Sequence, residues 1–178
     1  KNALGHFALE LAAHALFAGV RNLANLQRCG ADLALDRVLA MLRNPQVMQR
    51  SKLFPHTLFA AYKLIESGQR PQRADWGTSW VDDPAIANHP RRGEVLEALA
   101  EAIDLSVANL SHLGGVSYVT SDNSASMEGT LSEKSIVRRV DVANLLAAIA
   151  HGMCERAIAS VFGESHAVVP MVRKDSIF

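Results

Sequence analysis

The spacing of apolar residues changes once along this chain, near Gly114-Gly115, and that change limits the folds open to it. Before that point apolar side chains recur at helical intervals. From Leu9 to Cys29, Leu16, Val20, Leu23 and Leu26 follow a 3.6-residue repeat, and Gly30 is placed to end the helix in the left-handed conformation. Asp32 is the candidate cap of a second helix striped by Leu35, Val38, Leu39 and Leu42. Asn44-Pro45 stops it and starts another turn, with Asn as N-cap and Pro at the first helical position. The segment Pro55 to Ser67 repeats the logic, with Leu58, Tyr62 and Ile65 on one face and Gly68 as terminator. Short helices joined by short connections point to a helical-repeat array. Residues 69–92 are interrupted by Pro71, Gly77, Pro84 and Pro90 and read as a long surface excursion. Trp76 and Trp80 are expected to anchor it by burial, with base stacking the alternative role. Helix returns from Glu94 to Leu110, with Leu96, Leu99, Ile103 and Val107 inward and Glu94 and Glu97 suited to its first turn.

After Gly114-Gly115, read as a turn, Val116 to Thr120 is expected to be a strand. A helix between about Val140 and Arg156 follows, lined by Val142, Leu145, Leu146, Ile149 and Met153. Two β-rich runs, Ile158 to Phe162 and Ala167 to Val172, come next. Strand, crossover helix and further strands describe the opening of an α/β sheet, in which ligands sit beyond the carboxyl ends of strands. Asp122, Ser124 and Ser126 fall there. A carboxylate and two hydroxyls are hard oxygen donors suited to Mg2+ or another divalent cation. The same residues also make ordinary polar turns, and that alternative stays open.

With 178 residues, 49% of them hydrophobic, the chain has enough apolar material for a real core. No apolar run approaches the ~20 residues needed to span a bilayer, and the first residues lack the layout of a signal peptide. The expectation is a cytoplasmic protein with no membrane partner, in which Cys29 and Cys154 are reduced core thiols. Formal net charge is zero, yet residues 1–92 hold 12 Lys/Arg against 7 Asp/Glu while residues 93–178 hold 6 against 11. Opposite roles for the two halves are implied. Between residues 43 and 73, Arg43, Arg50, Lys52, Lys63, Arg70 and Arg73 meet a single acid, Glu66. That is a candidate anion-binding patch or a solvated helical surface. Catalysis is not expected: the seven histidines are scattered, with no HExxH, GxSxG, P-loop or GxGxxG.

Four segments in order carry a family resemblance. Leu16-Phe-Ala-Gly-Val-Arg-Asn-Leu-Ala-Asn-Leu26 resembles a Leu-Arg-Asn-Leu helix, and Ser51-Lys-Leu-Phe-Pro-His-Thr-Leu-Phe-Ala-Ala-Tyr-Lys63 resembles a segment with Pro near an aromatic followed by Ala-Tyr. Glu94-Val-Leu-Glu-Ala-Leu-Ala-Glu-Ala-Ile-Asp104 looks like a connecting helix, and Asp122-Asn-Ser-Ala-Ser-Met127 like Asp-x-Ser-x-Ser-Met. Together they resemble the Ro ribonucleoprotein family. Its module, named for telomerase, Ro and vault proteins, is a ring of helical repeats joined to a von Willebrand A-like domain, and Asp-x-Ser-x-Ser resembles the metal-ion-dependent adhesion site of such domains.

The implied fold is mainly α: a HEAT-like helical-repeat array, then a partial, doubly wound α/β domain of the von Willebrand A type. Residues 1–110 are expected to be the C-terminal part of the RNA-binding module and residues 111–178 the N-terminal part of the A-like domain. The implied function is binding of small noncoding RNA, or of misfolded RNA ends, in RNA quality control. Arg43, Arg50, Lys52, His56 and Lys63 are the candidate contacts, with Arg21 and Asn22 either joining them or bonding to loop carbonyls between helices. An RNA-processing nuclease is a further expected partner. The alternative is a protein-interaction module, in which a metal at Asp122, Ser124 and Ser126 receives a partner's carboxylate. A full A-type site adds a Thr and a second Asp from later loops. Asp141 and Asp175 are available acids, but neither sits at that later position, so the expected shell is incomplete.

Overall fold

The computed structural model describes residues 2–74, 77–108, 110–133 and 135–171, which divide into two compact units, Lys1–Asn109 and Leu110–Phe178. Among the described residues no helix is long and apolar enough to cross a membrane. The described residues are mainly helical, with two small sheets.

In the first unit α1 (Asn2–Arg28) buries Leu16, Val20, Leu23 and Ala24, the 3.6-residue stripe. It ends at Gly30, whose positive φ lets Gly30 and Ala31 return N–H groups to the Gln27 and Leu26 carbonyls. Then α2 (Asp32–Leu42) buries Leu35, Val38, Leu39 and Leu42. Its N-cap is Ala31, without a side-chain bond; Asp32 lies in the first turn and faces Arg91 at 3.9 Å, so the expected Asp32 cap is corrected. In α3 (Pro45–Ser51) the Asn44 side chain does cap, accepting from the N–H groups of Gln46 and Val47 at 3.0 and 3.3 Å. Next, α4 (Pro55–Ser67) buries Leu58, Phe59 and Ile65 and stops at Gly68. Only glycine fits there, because φ is +64° and an added Cβ would lie 2.8 Å from the Ala87 Cβ.

Residues 69–92 are not one irregular excursion. Strands β1 (Gln69–Ala74) and β2 (Gly77–Asp82) pair antiparallel from Gln69↔Asp82 to Ala74↔Gly77, and the short α5 (Pro84–Ala87) follows. Gln-Arg-Pro-Gln-Arg-Ala has no apolar alternation to announce a strand, and a two-stranded ribbon tolerates Pro71 because no third strand needs its N–H. Trp80 is half-buried opposite Pro71; Trp76 lies outside the described residues. The last helix, α6 (Arg92–Val107), buries Val95, Ala98, Leu99, Ala102 and Ile103, so Leu96 and Val107 sit at the stripe's margin. Arg92 reaches back to the Ile65 and Glu66 carbonyls, neutralising the C-terminal end of α4.

The second unit holds β3 (Leu113–Asp122), α7 (Arg139–Met153), β4 (Cys154–Phe162) and β5 (His166–Val169), with strand order β3-β4-β5. β3 and β4 are parallel, matching Val116↔Arg156 through Asp122↔Phe162, and β5 is antiparallel to β4. Gly114 and Gly115 belong to β3 rather than to a turn: the register shifts beside them, and Gly115, at φ +85°, donates its N–H to Glu155 at 2.7 Å. The helix stops three residues short of Arg156 and runs into β4 without a loop, because the buried Cys154 is already extended. The second expected run begins at His166, and Val172 lies outside the described residues.

One buried carboxylate organises the first unit. Asp83 accepts from Arg28 Nε at 2.6 Å and from the Ala85 N–H at 3.1 Å, with Arg70 at 3.9 Å, while its own N–H goes to the Gly68 carbonyl at 2.7 Å. Burial pushes its carboxyl up, but Arg28, the Ala85 N–H and Arg70 outweigh that and hold it below its ordinary value. A carboxyl more acidic in the folded state stabilises the fold above its unfolded pKa of ~4, and that contribution is lost as pH falls through the lower folded value. Asp83→Ala should cost about 2 kcal/mol at neutral pH. Urea melts of Asp83→Asn from pH 3 to 7 should also lose part of the acid-side decline seen in the unaltered protein.

Candidate RNA interface and metal loop

The α3–α4 turn carries Arg50, Lys52 and His56 within one short stretch. Lys52 closes α3 in the left-handed conformation at φ +50°, where glycine is the usual occupant. The chain is then extended at Phe54, so Leu53 turns inward, 6% exposed, and Phe54 turns out, 66% exposed. Pro55 fixes the start of α4, and the rings of Phe54 and His56 stack with centroids 5.7 Å apart and planes 18° from parallel. Lys63 lies seven residues beyond His56, on the same face of α4, and holds Glu66 at 2.6 Å.

Arg43 is engaged elsewhere: its guanidinium meets Glu101 at 3.0 Å, Glu97 at 3.5 Å and Glu94 at 3.6 Å, all on α6. Those acids are distant in sequence, so a local charge count could not register them. Arg91 makes a similar link, from Asp36 of α2 at 2.7 Å to Glu94 at 2.8 Å. On α1, Arg21 and Asn22 are exposed; Arg21 lies 5.7 Å from the Phe17 ring centre, and Asn22 donates to Ala18 O of its own helix at 2.9 Å. Among the described residues their side chains therefore meet α1 itself, not loop carbonyls between helices. Charge and motif do not single out Phe54 as a contact, because which side of an extended residue faces the core is set by packing.

At the end of β3, Asp122 accepts the Ser124 N–H at 2.8 Å, and the Ser124 and Ser126 hydroxyls are 3.0 Å apart. The Ser124 hydroxyl and N–H hold the Asp122 carboxyl below its ordinary value, so it is ionised at neutral pH. Adjacent ligands of an octahedral Mg2+ at ~2.1 Å lie ~2.9 Å from one another, so the hydroxyl spacing fits one edge of such a shell. Among the described residues no group of three or more His, Cys, Asp or Glu converges, and one carboxylate with two hydroxyls would fill at most about half of such a shell, roughly three of six positions. The loop is held from behind. Ser121 donates to Asn144 of α7 at 2.7 Å, Asn123 donates its N–H to Phe162 O at 2.6 Å, and an added Cβ on Gly163 would lie 3.0 Å from Asn123 O.

No protein-family model and no curated protein matches the chain. Among solved structures it is similar to the crystal structure of the Deinococcus radiodurans Ro (RSR) protein, with TM-score 0.56 and 21% identity over 89% of this chain and 31% of that chain. At that identity the likeness concerns the fold, and the chain spans less than a third of that protein's length.

If the carboxylates of α6 are the working partners of Arg43, Arg43→Ala should lower stability by about 0.5–1 kcal/mol at low ionic strength and by less in high salt. Denaturant melts at two salt concentrations would measure it. An unchanged midpoint at low salt would free Arg43 for another role.

Proposed function

We propose that this is a non-catalytic, Ro-like RNA-binding protein of the cytoplasm that holds small noncoding RNA or misfolded RNA ends. Residues 1–110 supply part of a helical-repeat module, and residues 111–178 open a von Willebrand A-like domain. The observation that carries the proposal is the likeness of fold to a Ro protein over most of the chain, together with the four Ro-like segments in the same order. The α3–α4 turn adds chemistry of the right kind, since cations beside an exposed ring suit phosphates and unstacked bases. Arg50, Lys52, His56 and Lys63 are the preferred contacts, with Arg21 and Asn22 exposed on α1 as further candidates. Arg43, already engaged by three glutamates, is the weakest of the set.

The clustered hydroxyls at the end of β3 favour a second reading, in which Asp122, Ser124 and Ser126 bind a magnesium-like ion weakly and offer it to a protein partner such as an RNA-processing nuclease. Such an ion would supply an open coordination position for a carboxylate; the chain's own part is to hold the three oxygens in place from Asn144 and the Gly163 turn.

Reversing Lys52 and Lys63 to Glu together should weaken RNA binding severalfold and reduce the slope of log affinity against log salt by about 1.4–1.8, roughly 0.7–0.9 for each lost phosphate contact. If affinity and slope stay as they were, the basic segment is only a solvated face. For the metal loop, Mg2+ titration should give a dissociation constant above about 1 mM, removed by Asp122→Ala and tightened about tenfold or more in a chain extended through later A-type elements. Equal, tight binding by both lengths would show that the shell is already complete in these residues.

A further inference from the structure

We propose that the Phe54–His56 ring pair is a stacking platform for an unpaired base of single-stranded RNA, a role that rests on the RNA-binding function above and assigns it a site. The ring of Phe54 is two-thirds exposed although Leu53 beside it is buried, so the extended backbone presents it to solvent by construction. The backbone that carries it is constrained on both sides. Lys52 in the left-handed conformation and Pro55 at the first helical position bracket Leu53 and Phe54, and the His56 ring lies nearly parallel to the Phe54 ring. A base added to two rings already stacked loses little further side-chain freedom on binding.

The occupant follows from the charges around the rings. An exposed phenylalanine would equally suit an apolar protein surface, but Lys52, exposed at the same turn, sits two residues away, and Arg50 lies four residues away. A ring flanked by cations fits a ligand that alternates flat faces with negative charges, as a nucleic acid strand does. Duplex bases are stacked on each other and cannot reach a side chain, so the ring selects single strands. The left-handed Lys52 points the same way: a lysine kept where glycine would cost less suggests that its charge is being used.

The experiment uses the full chain, a labelled oligouridylate as single-stranded probe, whose bases stack poorly on one another, and a blunt RNA duplex of equal length. Phe54→Ala should weaken oligouridylate binding by about tenfold or more while leaving the salt slope, the duplex affinity and the melting temperature unchanged. Phe54→Leu, which keeps apolar bulk but no ring, should behave like the alanine variant, and Phe54→Trp should keep or raise affinity. Lys52→Gly should be at least as stable as the unaltered protein yet bind the oligomer severalfold less tightly. Unchanged oligouridylate affinity in Phe54→Ala, alongside loss in the Lys52, Lys63 double variant, would overturn the platform and leave RNA binding standing. Equal loss on single strand and duplex, or a dimer that dissociates in Phe54→Ala, would also overturn it. If the unaltered protein binds neither RNA, the RNA function itself fails and the platform goes with it.

Discussion

Asp83 is the residue on which the helical unit depends, because it ties together the ends of α1 and α4 and the start of α5, which are remote from one another in the chain. Its oxygens take the end of α1 through Arg28 and the start of α5 through the Ala85 N–H, and its backbone N–H closes on Gly68 where α4 stops. The β1–β2 ribbon starts from that junction and has little else to hold it: its strands lack apolar alternation, and an isolated hairpin is marginal in water. A buried charge is tolerated only when its partners are in place, so loosening any of these segments would expose the carboxylate's full desolvation cost. The polar chain extends further along α1, from Arg28 to Asn25 and from Asn25 to Asn22.

In the second unit the organising constraint is backbone geometry. A parallel pair needs a crossover, and α7 supplies it by passing directly into β4 at Cys154. That register brings Phe162 level with Asp122, so the loop carrying Ser124 and Ser126 rests on the β4–β5 turn, where Gly163 leaves room for the Asn123 carbonyl. One sheet face takes α7, through Ser121 and Ala159. The other face carries Val116, Phe162, Val168 and Tyr118, the last 75% exposed.

Charge illustrates how tertiary structure reassigns residues that look alike in a list. Arg43 and Lys52 belong to the same basic stretch, yet Arg43 is spanned by three glutamates from α6 while Lys52 sits at an exposed turn in a conformation that disfavours it. The same packing brings Arg91 between Asp36 and Glu94, so α2 and α6 are held by ion pairs at two points. A stretch that reads as uniformly basic is therefore divided into a helix clamp and an exposed turn.

The amino-acid sequence by itself determined the stripes of α1, α2 and α4, the Asn44 cap, the Gly30 and Gly68 stops, and the strand that delivers Asp122, because each follows from side-chain period or from one residue's allowed φ and ψ. Tertiary structure alone decided the β1–β2 ribbon, the passage of α7 into β4 at Cys154, the inclusion of Gly114-Gly115 in β3, and the outward ring of Phe54. Each of those depends on a partner remote in the chain or on which side of an extended residue faces the core. Local spacing carries the period of an element, but not the neighbour that gives its groups hydrogen bonds and burial.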